Sequence, residues 1–103
     1  MFTSTGIRHT TSTVHRRALE RTVEKLLTIG NAPISIDSLA ELCDYSYVHM
    51  NRILIRLENQ SVISRTGGRR GVPYRHTVDY PNAYLRGLIT EQTYENWKNQ
   101  HAA

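Results

Sequence analysis

One cysteine, Cys43, occurs in 103 residues, so no disulfide can form within the chain and a reducing compartment suits it. No apolar run approaches the roughly 18 residues of a membrane-spanning helix. The N-terminal stretch M-F-T-S-T-G-I-R-H-T-T-S-T lacks the apolar core of a secretion signal, so a cytoplasmic protein without a membrane partner is expected. The histidines at 9, 15, 49, 76 and 101 show no metal-ligand spacing with one another or with Cys43. No phosphate-binding glycine loop opens a helix, because Gly67, Gly68 and Gly71 fall between two strand patterns. These absences argue against an enzyme, a metal, a cofactor or a small-molecule ligand.

Lysine is also scarce: eleven of the thirteen basic residues are arginine. The planar guanidinium grips phosphate or the guanine edge with two hydrogen bonds, which an ammonium cannot do. The net charge of +4 is unevenly spread. Residues 1–17 carry Arg8, Arg16 and Arg17 with no acid, while residues 18–45 are acidic on balance. Residues 46–76 hold Arg52, Arg56, Arg65, Arg69, Arg70 and Arg75 against Glu58 alone. A block of this kind suits a polyanion.

Residues 1–12, rich in Thr and Ser and without apolar period, read as a flexible basic arm. Helical spacing then begins at Thr13, with Leu19, Val23, Leu26 and Leu27 on one side and Ser12 or Thr13 as the expected cap. Gly30-Asn31 closes this helix and Pro33 forbids its continuation. Asp37 is expected to cap a second helix with Leu39, Ala40, Leu42 and Cys43 inward, ending at Asp44-Tyr45. Ser46 caps a third, to about Gln60, whose inward stripe is Met50, Leu54 and Leu57. Val62–Arg65 and Tyr74–Val78 read as two strands around the tip Gly67-Gly68-Arg69-Arg70-Gly71. Beyond Pro81, a short helix is expected to carry Ala83, Tyr84, Leu88 and Ile89, and Thr90-Glu91 to start another with Tyr94 and Trp97 on one face.

The tract L-A-E-L-C-D-Y-S-Y-V-H-M-N-R-I-L-I-R-L-E-N-Q-S-V-I-S-R, Leu39 to Arg65, resembles the helix-turn-helix of winged-helix bacterial regulators over 27 ungapped positions. G-G-R-R-G-V-P-Y-R-H-T-V resembles the wing and its return strand. The resemblance covers roughly residues 14 to 78. Two positions depart from the family pattern: Asp44 stands in the inter-helix turn, and Ser61 after the recognition helix, where glycine is usual. The resemblance implies an α+β winged helix-turn-helix, a three-helix core plus a two-stranded wing, with short C-terminal helices. It divides the chain into the arm 1–12, a DNA-binding domain 13–79 and a C-terminal helical extension 80–103.

In such a fold the recognition helix enters the major groove of duplex DNA. Ser46 and Tyr47 then reach phosphate, Val48 a thymine methyl, Asn51 adenine, Arg52 guanine, His49 base or phosphate, and Arg56 the backbone. Arg69 and Arg70 suit a minor groove from the wing tip, with Arg65 and Arg75 on flanking phosphates. Tyr84, Leu88, Tyr94 and Trp97 either close the chain's own core or form a homodimer interface. The expected function is a sequence-specific double-stranded DNA-binding protein, a small transcriptional repressor. The alternatives are a replication, partition or excision protein building a DNA assembly, and a winged-helix module for protein interaction.

Overall fold

The computed structural model describes residues 14–30, 32–70 and 72–101. The protein is α+β, with five helices and a two-stranded antiparallel sheet among these residues. The helices are α1 (Arg16–Ile29), α2 (Ile36–Cys43), α3 (Tyr47–Asn59), α4 (Tyr80–Leu85) and α5 (Glu91–His101); the strands are β1 (Ile63–Thr66) and β2 (Arg75–Val78). None of the helices is long and apolar enough to cross a membrane. The expected arm 1–12 lies outside the described residues.

Helix α1 starts later than its periodicity suggests. Its N-cap is His15, which makes no side-chain cap, and the expected caps Ser12 and Thr13 lie outside the described residues. Gly30 ends the helix at φ 65°, its N–H donating to the carbonyls of Leu26 and Leu27. The second cap is corrected from Asp37 to Ser35. The Ser35 hydroxyl accepts from the Ser38 N–H at 3.1 Å, and Asp37 sits in the first turn, where its charge suits the helix dipole. Ile36 is the first residue of the helix and is buried. Leu42, expected inward, is instead exposed. Ser46 caps α3 as anticipated, accepting from the His49 N–H at 3.1 Å.

Both departures from glycine are accommodated by left-handed backbone. Asp44 adopts φ 63°, ψ 43° and closes α2. Ser61 adopts φ 60° after α3. Its N–H donates to Glu58 O and the Val62 N–H to Leu57 O, both at 2.9 Å, the double bond pattern that terminates helices. Val62 and Leu57, both fully buried, supply the accompanying apolar contact. The chain thus enters the hairpin directly from α3.

The core is shared by α1, α2, α3 and the hairpin. Val23, Leu39, Cys43, Met50, Ile53, Leu54, Leu57 and Val62 are all fully buried. Burial pushes the Cys43 thiol up from its ordinary value, as for an unreactive core cysteine. Strands β1 and β2 pair with Ile63 opposite Val78 and Arg65 opposite His76. A single bridge joins Ile34 to Tyr74, where the Ile34 N–H donates to the Tyr74 carbonyl at 2.8 Å, tying the segment before α2 to the hairpin.

The C-terminal extension folds back on this core. Asp79 caps α4 by accepting from the Asn82 N–H, and the Asn82 side-chain amide donates to Gln60 O at the end of α3. Leu88 and Ile89 were expected on this helix but lie beyond it. Gly87 at φ 71° has turned the chain, and a side chain there would strike Arg16. Arg16 holds the turn by donating to the carbonyls of Arg86 and Gly87 at 2.9 and 2.8 Å. Thr90 then caps α5, accepting from the Thr93 N–H.

Candidate nucleic-acid interface

Helix α3 is rooted by Met50, Ile53, Leu54 and Leu57, so its opposite face is turned outward by the 3.6-residue period. That face carries Val48, Arg52, Ile55 and Asn59, all exposed. Val48 keeps 59% and Ile55 44% of its surface accessible. Tyr47 and Ser46 are exposed at the N-terminal end, with Ser46 also serving as the cap. Asn51 and Arg56 flank the stripe, half-buried. His49 is also half-buried, with its ring edge-on to Tyr45 at 4.8 Å, so packing competes with an outward role. Ile55 was not anticipated from the sequence, although its signal was available. It falls seven residues after Val48 and opposite the Met50–Leu54–Leu57 stripe.

A shallow groove of about 260 Å³ runs along the outer flank of α3, lined by Val14, Arg52, Ile55, Arg56 and Asn59. Val14 is itself buried there. Of the N-terminal arginines, Arg8 lies outside the described residues. Arg16 is occupied with the Arg86–Gly87 turn and with Glu20 at 3.2 Å, rather than extending the arm.

The hairpin places its arginines in two different settings. Arg69 and Arg70 are exposed at the tip, Arg70 at φ 53°. Arg75 projects from the exposed side of β2. Arg65, expected to flank them on phosphate, is instead turned inward. Its guanidinium bonds Glu58 of α3 at 2.6 Å with the side chain only 10% accessible, and lies 4.6 Å above the Tyr74 ring. The Tyr74 ring lies so close to Gly68 that a side chain there would overlap it. Glu58, Arg65, Tyr74 and Gly68 therefore form one stack, which fastens the hairpin to α3. The strand alternation carried the signal: Arg65 faces the same side as the buried Ile63.

His76 lies opposite Arg65 on the inner face of β2, 2% accessible, and neither ring nitrogen has a hydrogen-bond partner. Burial, then the positive charge of Arg65, lowers its pKa from 6.5 to about 4, with Glu58 opposing. It is neutral at physiological pH and adds no charge to the basic surface.

The residues considered for a dimer interface are engaged within the chain. Leu88 is buried in the core. Tyr94 stacks on Tyr84 at 4.5 Å and Trp97 on Tyr80 at 5.2 Å, the planes within 8° of parallel. All four rings are half-buried.

Comparison of the chain with family models, with curated proteins and with solved structures finds no match.

Proposed function

We propose that this chain is a winged helix-turn-helix protein that binds double-stranded DNA at a specific sequence and acts as a small transcriptional repressor. The observation that carries the reading is the juxtaposition of α3 and the hairpin. A serine-capped helix shows an outward face bearing Tyr47, Val48, Arg52 and Ile55. Through the Glu58–Arg65 pair it is fastened to a hairpin with Arg69 and Arg70 at its tip. A rigid helix of this width fits the major groove, and a fixed loop beside it can follow the adjacent backbone or minor groove. The order of helices and hairpin and the Ile34–Tyr74 bridge are compatible with this layout. Occupying a promoter is the simplest way for a DNA-binding domain of this kind to repress.

Selection of bound duplexes from a random pool at fixed salt tests the proposal. A defined consensus is expected, and a palindromic one if two copies bind about a two-fold axis. Replacing Arg69 and Arg70 together by alanine should lower the slope of log affinity against log salt by roughly one unit per lost phosphate contact. The consensus should hardly change. Binding without sequence preference, or no retention of duplex, would overturn the reading.

A further inference from the structure

The outer stripe of α3 is not uniformly polar. Val48 and Ile55, both exposed, lie on it with Arg52 between them. Apolar groups on a face bordered by arginines call for a partner that is anionic overall but carries isolated apolar points. The major groove of duplex DNA has this chemistry. Phosphates line it, and the C5-methyl of thymine is the apolar group on its floor.

We propose that Val48 and Ile55 read thymine through its C5-methyl group at two positions about three base pairs apart, with the Arg52 position between them. The proposal rests on the DNA-binding reading above and adds a component of specificity to it. Spacing follows from helix geometry. Seven residues at about 1.5 Å each separate the two side chains by roughly 10 Å along α3. That distance matches about three base-pair steps of roughly 3.4 Å. Both side chains are β-branched, with few rotamers, so their methyl groups are held in place before binding. The closely packed residues beneath α3 hold the helix itself.

The test uses the duplex obtained by selection, resynthesised with uracil in place of thymine at chosen positions. Uracil keeps the pairing and the hydrogen-bonding edge and lacks only the methyl. Each of two substitutions, about three base pairs apart, should weaken binding by about fourfold, the worth of one buried methyl(ene) group. Val48→Ala should abolish the sensitivity at one position and Ile55→Ala at the other. Both variants should melt like the parent protein, because each side chain is exposed. Tight, sequence-specific binding indifferent to uracil would overturn this inference and leave the DNA-binding reading standing. Uracil sensitivity that persists in both alanine variants would do the same. Failure to retain any duplex would remove the reading and this inference with it.

Discussion

Helices α3 and α5 are similar in length, 13 and 11 residues, and are held in opposite ways. Four side chains of α3 are fully buried, whereas α5 has no buried residue. What fastens α5 is a pair of ring stacks against α4, Tyr84 on Tyr94 and Tyr80 on Trp97. Close-packed aliphatic side chains resist displacement in every direction. Parallel rings can slide over one another and leave their edges in water. A helix that must present side chains to a ligand within a fraction of an ångström needs the first kind of support. On this chain the outward residues of α3 have it, and those of α5 do not.

Removing the support of α3 should have the largest effect. Leu54→Ala empties a fully buried site and should cost about 2–5 kcal/mol, read from denaturant unfolding followed by far-ultraviolet dichroism. For a domain of this size that is a large part of its total stability. A cost near zero would mean that α3 is no better rooted than α5.

Acid should produce the next largest effect, through His76. Its folded pKa, about 4, lies below the unfolded 6.5, so between those values the unfolded chain binds more protons. Its contribution is complete above about pH 6.5 and is lost as pH falls toward 4. The loss by pH 4 is on the order of 3 kcal/mol. The strain is placed under the hairpin, beside Arg65 and Glu58, and not under α5. His76→Gln should flatten stability over this range relative to the parent chain, measured by denaturant titration at pH 7, 5.5 and 4.5. Parallel curves for the two proteins would show that His76 titrates normally.

The elements that could be read in advance are those whose signals are local. Ser46 before an apolar stripe, Gly30 before Pro33, and two β-rich runs around a glycine tip each depend on a few neighbouring residues. All three appear in the fold. What could not be read depends on distant partners. Strand alternation puts Arg65 on the inner side with Ile63, but nothing near it in sequence names Glu58 and Tyr74 as its partners. Asp37 and Ser35 are both good caps, and burial of Ile36 in the core selected between them. The stacking of Tyr94 and Trp97 on α4 needed the Gly87 turn and its Arg16 clasp, 70 and 71 residues apart in sequence from the carbonyls it holds. The outward face of α3 was anticipated in part: Tyr47, Val48 and Arg52 are exposed, His49, Asn51 and Arg56 are half-buried, and Ile55 and Asn59 were not foreseen.

A smaller and more local loss is expected at α5. Trp97→Ala removes a half-buried ring and its stacking on Tyr80, Tyr94 and His101, at about 1–2 kcal/mol. Hydrogen exchange should speed up across Glu91–His101 while amides in α1 and α3 keep their protection. If exchange rises equally everywhere, α5 is part of the same cooperative unit and the contrast between the helices fails. Sedimentation of the same variant asks a separate question. A fall in mass would show that the Trp97 ring also meets a second copy.

The smallest effect is a gain, at the point where α3 ends. Ser61 sits at φ 60°, a conformation that costs a side-chain-bearing residue roughly 1–2 kcal/mol and costs glycine nothing. Glycine gives back part of that difference through its larger freedom in the unfolded chain, roughly 0.5–1 kcal/mol. Ser61→Gly should therefore stabilise by about 0.5–1 kcal/mol, a rise of roughly 3–5 °C in melting temperature. The paired bonds from Ser61 to Glu58 and from Val62 to Leu57 use backbone atoms only, so glycine can keep both. Asp44→Gly, at φ 63° after α2, should gain less, because aspartate tolerates this region better than serine does. No comparable gain is available inside α5, whose weakness lies in its packing and not in its backbone. If Ser61→Gly proves neutral or destabilising, the serine side chain holds the exit from α3 by a contact of its own, and the strain assigned to this turn is absent.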